Sequence, residues 1–80
     1  MDDSTELDLL IEVRAAINSG RAARVRELAG LSQAEVAELV GVTPATISRW
    51  EAAERRPTGE RALAYGRVLR QITSRVAAAA

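Results

Sequence analysis

The sequence predicts an all-α fold, a bundle of five helices, and three observations carry this. Alanine supplies 16 of the 80 residues and the aromatics are limited to Trp50 and Tyr65, a composition that favours helices over strands. No alternating β-branched run occurs, so the usual signature of a half-buried strand is missing. Apolar residues instead recur three and four apart, between short breaks rich in Gly, Pro, Ser, Thr and Asn.

The first helical stretch covers about residues 4–19. Ser4 is placed to N-cap it, and the acids at its start suit the positive end of the helix dipole. Leu7, Leu10, Ile11, Arg14 and Ile17 follow a 3-4 spacing, with Val13 widening the expected buried face. Asn18-Ser19-Gly20 reads as a stop, although one helix kinked at Gly20 fits the same pattern. The second stretch runs from Arg21 to Ala29, with Ala22, Val25, Leu28 and Ala29 on one face, and Gly30 ends it.

The third stretch begins with a capping box, Ser32 as N-cap and Glu35 three residues on. Val36, Ala37, Leu39 and Val40 supply its expected buried side, and Gly41 stops it. Thr43 is the next N-cap and Pro44 occupies the first helical position, with Ile47 and Trp50 on one inner face. Ala52 to Pro57 reads as a polar connection. Thr58 then caps a last helix that carries Leu63, Gly66, Leu69 and Ile72 inward and runs toward the terminal alanines, which are expected to fray. Tyr65 is expected to be partly buried with its hydroxyl at the surface.

Functional classes narrow quickly. The chain has no cysteine and no histidine, so disulfide frameworks, thiolate zinc sites and Ser-His or Cys-His nucleophilic chemistry are not expected. No cofactor or metal is expected, and an enzyme is a poor reading. The length suits one domain over residues 1–80. No long apolar run suggests a membrane span or a signal peptide, which makes a cytoplasmic, nucleoid-associated location the expectation.

The formal net charge is zero, but the charges are segregated. Asp2, Asp3, Glu6, Asp8 and Glu12 give residues 1–12 a net of −5, while residues 13–80 carry 11 arginines and six glutamates, a net of +5. Such asymmetry points to an anionic partner for the basic part.

The segment from Gln33 to Ala52 carries most of the information. A helix, the turn Gly41-Val42-Thr43 and a second helix must cross steeply, as in a helix-turn-helix. Ala37 must be small where the helices approach, Gly41 must reach a left-handed conformation, and Val42, Ile47 and Trp50 must be apolar. At about 100° per residue, Ala45, Ser48, Arg49 and Ala52 point away from Ile47 and Trp50. An outer face that is small, polar and basic fits the major groove of duplex DNA. Candidate base readers are Thr43 and Pro44 at the tip, then Ala45, Thr46, Ser48 and Arg49. Arginine suits guanine, serine suits several bases, and the methyl groups of Ala45 or Thr46 suit thymine. Gln33, Arg55 and Arg56 are candidate phosphate contacts.

From Arg21 to Leu69, and above all over RELAGLSQAEVAELVGVTPATISRWEAAERRPTGERAL, the chain strongly resembles the Xre/Cro-type helix-turn-helix family of phage-repressor-like DNA-binding proteins. The resemblance implies a repressor-like core over residues 21–72, preceded by an extra N-terminal helix at 4–19 and followed by a helical extension or tail at 73–80. It implies that Arg26 and Glu51 pair to join the first core helix to the recognition helix. Two positions depart from the family pattern. Ala53 stands where glycine often ends the recognition helix, so that helix could end differently. Pro44 stands at a tip position that is often polar or basic, which shifts reading onto Thr43, Ala45, Ser48 and Arg49.

The expected function is a sequence-specific DNA-binding regulator, a small repressor that binds a palindromic operator as a homodimer. One recognition helix reads too few base pairs to specify a site alone. Leu69, Ile72 and Val76 on the last helix form the expected dimer seam, with the N-terminal helix as the other option. A protein-interaction module, antitoxin-like or partner-binding, is the alternative on the same fold. The acidic N-terminal helix is either core padding or a surface for a protein partner.

Overall fold

The computed structural model describes the backbone of residues 3–79 and the side chains of residues 5–79. Its elements are α1 (Asp3–Asn18), α2 (Arg21–Leu28), α3 (Gln33–Val40), α4 (Pro44–Glu51) and α5 (Gly59–Ala79), with no strand among the described residues. Asp2, Ala80 and the side chains of Asp3 and Ser4 lie outside them, so the contribution of Asp2 and Asp3 to the acidic end is read from sequence alone. The backbone is already helical at Asp3, which places Ser4 inside α1 and not at its cap. Gly20 takes a left-handed φ of 81° and divides α1 from α2, so the chain breaks there and does not kink through. Thr58 takes the N-cap position of α5, its backbone carbonyl accepting the Ala62 N–H at 3.3 Å.

The long helix α5 is the spine, with α1, α2 and α3 packed on it and α4 packed on α3. Val13, Ile17, Val25, Val36, Ile47, Trp50, Tyr65, Leu69 and Ile72 share one buried cluster. The inner face of α1 is only partly the one expected, since Val13 and Ile17 are buried as the spacing predicts but Leu7 and Ile11 are not. Leu9, Val13, Ala16 and Ile17 point inward, whereas Leu7 and Ile11 are 55% and 56% exposed and Leu10 and Arg14 are half-buried. The reason lies on α5. Gly66 has no side chain, and a Cβ there would stand 3.0 Å from Val13 Cγ2 and 3.1 Å from Leu9 Cδ2. The two helices therefore close along Gly66, and that contact selects the Leu9–Val13 stripe. A bidentate contact from Arg70 to Glu12, at 2.8 and 2.6 Å, bridges the same pair at the surface. It holds the Glu12 carboxyl below its ordinary range.

Three further apolar expectations fail. Leu28, Ala29 and Leu39 are exposed, because the faces of α2 and α3 that meet the core are narrow. Ala22 with Val25, and Val36 with Ala37, already fill them. The α4–α5 connection is exposed except at its end, where Pro57 is fully buried.

Candidate nucleic-acid interface

The helix-turn-helix is built from local chemistry. The Ser32 hydroxyl accepts the Glu35 N–H at 3.0 Å, and the Glu35 carboxylate accepts the Ser32 N–H at 2.8 Å. Both donors would otherwise be orphaned at the start of α3. These bonds lower the Glu35 carboxyl below its ordinary range, the Ser32 backbone N–H contributing most. At the other end Gly41 sits at φ 90°, and the Gly41 and Val42 N–H groups both donate to the Ala37 carbonyl, at 2.8 and 3.0 Å. A side chain at Gly41 would be strained in this conformation. The chain then restarts at Thr43, whose hydroxyl accepts the Thr46 N–H at 3.2 Å, with Pro44 in the first turn of α4.

Buried Ile47 and Trp50 anchor α4 to the core, and Trp50 stacks at a tilt on Tyr65 with ring centroids 4.9 Å apart. On the other side Thr43, Pro44, Ala45, Ser48, Arg49 and Ala52 are exposed. Thr46 is half-buried, its hydroxyl 2.9 Å from that of Thr43. Arg49 has no ion-pair partner among the described residues.

Helix α4 ends in a Schellman turn, in which Ala53 N–H donates to Trp50 O at 3.0 Å and Glu54 N–H to Arg49 O at 2.9 Å. The left-handed position falls on Ala53, at φ 59°. Alanine thus adopts the glycine conformation, and the helix stops at Glu51 without running on. Arg55 and Arg56 follow directly and are exposed.

Beneath this surface Arg26 and Glu51 make a two-pronged contact. The hydrogen bonds to Glu51 raise the already high pKa of Arg26 further. Gln33 joins them, its Nε2 donating to Glu51 Oε1 at 3.0 Å. The sequence marked Gln33 only as a phosphate contact; its link to a residue 18 positions away carries no local signal. Tyr65 corrects another expectation, since its ring is fully buried and its hydroxyl has no hydrogen-bond partner. Burial pushes its pKa well above the ordinary phenol range.

Two of the three residues expected at a dimer seam are internal. Leu69 and Ile72 are only 7% and 6% exposed within the chain's own core, because they continue the Ala62–Tyr65 stripe facing the other helices. Val76 is half-buried, and beside it Leu28, Ala29, Arg75 and Ala79 form a shallow groove. Among the described residues no cluster of His, Cys, Asp or Glu could hold a metal ion, and no helix is long and apolar enough to cross a membrane.

A family model described as Helix-turn-helix matches residues 23–74. The chain belongs to this helix-turn-helix family. Its type is Xre/Cro-like, and the protein is a DNA-binding helix-turn-helix regulator. The family match begins inside α2 and ends inside α5, so α1 stands outside it. No curated protein and no solved structure matched the chain.

Proposed function

We propose that this helix-turn-helix protein is a sequence-specific transcriptional repressor that binds a palindromic operator as a homodimer. The supporting observation is the outer face of α4, where Ala45, Ser48 and Arg49 are exposed and Arg49 lacks an internal counter-charge. In this reading Arg49 takes guanine, Ser48 takes a neighbouring base edge, and Ala45 with the Thr46 methyl meets thymine. Thr43 and Pro44 shape the tip. Arg55 and Arg56 grip the flanking backbone, and Gln33 presents its remaining polar groups and the start of α3 to a phosphate.

Two copies across a two-fold axis place recognition helices about 34 Å apart and double the sequence read. With Leu69 and Ile72 internal, the seam falls on Val76, Ala79 and Leu28. Selection of bound sequences from a random duplex pool, followed by sedimentation of the complex, tests the whole reading. Enrichment of two inverted half-sites about one helical turn apart, bound by two chains, is expected. Failure to enrich any sequence, or a single half-site bound by one chain, would overturn it.

A further inference from the structure

Three arginines meet at a notch beside the end of α4. Arg14, Ile17 and Asn18 of α1 form one wall, Ala53, Arg55 and Arg56 form the other, and the notch encloses about 120 Å³. No carboxylate lines it, and none of the three guanidinium groups has an ion-pair partner among the described residues. The Nε of Arg14 is buried without a hydrogen-bond partner. Elsewhere on the same helix the charges behave differently, since Glu12 pairs with Arg70 and the last six residues of α1 contain no acid.

Like charges held around one small space repel one another, and a buried donor without an acceptor costs free energy. An anion in the notch offsets the repulsion. Arginine presents a planar fork that matches phosphate oxygens. The notch's position decides which phosphate. Ala53 opens it immediately after the recognition helix, and Arg55 and Arg56 are the residues assigned above to the DNA backbone.

We infer that Arg14 completes a three-arginine phosphodiester site with Arg55 and Arg56, which makes α1, outside the family match, part of the DNA-binding surface. This rests on the DNA-binding reading of α4. It gives α1 a division of labour, with Glu12 tied to Arg70 on α5 and Arg14 turned to the phosphate backbone.

The test is the salt dependence of affinity for a mixed-sequence duplex pool, which needs no knowledge of the operator. Each phosphate neutralised contributes about 0.9 to the log–log slope, or about 3.5-fold in affinity between 0.05 and 0.2 M salt. Arg14→Gln should lower the slope by about that one contact, as should Arg55→Gln, and Arg14→Lys should keep it. Asn18→Asp, at an exposed position on the rim, should weaken binding without disturbing the fold, which circular dichroism verifies for every variant. Arg67→Gln, at an exposed position on α5 that does not line the notch, should leave the slope unchanged.

An unchanged slope in Arg14→Gln, with a reduced one in Arg55→Gln, overturns the proposal and leaves the DNA-binding reading standing. An unchanged slope combined with a rise in melting temperature in inorganic phosphate at matched ionic strength, lost in Arg14→Gln, also overturns it, because the notch then takes free phosphate and not DNA. If the unmodified protein has no salt-dependent affinity for duplex, the DNA-binding reading fails first.

Discussion

Arg26 and Glu51, 25 residues apart in sequence, face each other with Nε 2.6 Å from Oε2 and Nη2 3.0 Å from Oε1. Their side chains are only 13% and 7% exposed. Arg26 also donates to the Leu31 carbonyl at 2.9 Å, so one guanidinium holds α2, the α2–α3 turn and the end of α4. The orientation of the α4 outer face depends on this joint.

Removing one partner leaves the other buried and unpaired. Glu51→Ala should destabilise the fold by about 3–5 kcal/mol. Replacing both residues with apolar side chains, Arg26→Met with Glu51→Leu, should cost much less, since no charge is then left without a partner. Urea unfolding of the two variants gives the comparison. Equal losses in both would show that packing dominates and not charge.

Ala53 pays a conformational cost that glycine avoids. Its φ of 59° lies in the left-handed region, which disfavours a side chain by about 1–2 kcal/mol. Ala53→Gly should raise stability by up to about 1 kcal/mol after the extra freedom glycine has in the unfolded chain. A rise in the thermal midpoint with unchanged DNA affinity is the expected result.

The Tyr65 hydroxyl is buried without a partner. Tyr65→Phe keeps the ring against Trp50 and removes the orphaned group, so it should be neutral or stabilising by up to about 1–3 kcal/mol. A clear loss of stability on denaturant unfolding would mean that the hydroxyl is hydrogen-bonded in solution.

Glu12 and Glu35 set the acid limit. Both carboxyls sit below the ordinary value of 4.5, Glu12 through the Arg70 hydrogen bonds and Glu35 through the Ser32 N–H and hydroxyl. A carboxyl with a depressed folded-state pKa contributes stability that is complete above its unfolded value and lost as pH falls through the folded one. Thermal midpoints should therefore drop as pH falls below about 4.5 toward the lowered folded values. Glu35→Gln keeps an acceptor for the cap and removes the titration, and it should flatten part of that acid limb.

Arg49 and Arg55 should separate cleanly on DNA. Arg49→Ala should relax base preference by about 1–3 kcal/mol, whereas Arg55→Ala should weaken all sequences alike and reduce the salt slope by about one contact. Affinity for selected and scrambled duplexes measures both. Sequence preference that survives Arg49→Ala would remove Arg49 from base reading.

Local chemistry made much of this protein legible from sequence. Ser32 with Glu35, Thr43 with Pro44, and Gly41 each act within three or four residues, so helix starts, the turn and the exposed face of α4 follow from neighbours in the chain. The Arg26–Glu51 pair was implied only by family resemblance, and the structure supplies its distances and its third member, Gln33. Tertiary packing decided what local periodicity could not. Helix α1 carries apolar residues nearly all round, so spacing alone favoured Leu7 and Ile11 beside Val13 and Ile17, and the close approach of Gly66 on a distant helix put Leu9 inward in their place. The same packing closed Tyr65 away from solvent and left Leu28 and Leu39 outside, while Leu69 and Ile72 point inward as their spacing predicts. It also brought Arg14 to Arg55 and Arg56, some 40 residues away in the sequence. Hydrogen bonds within one helical turn are written in adjacent residues, whereas the facing of a helix is set by the partner it meets.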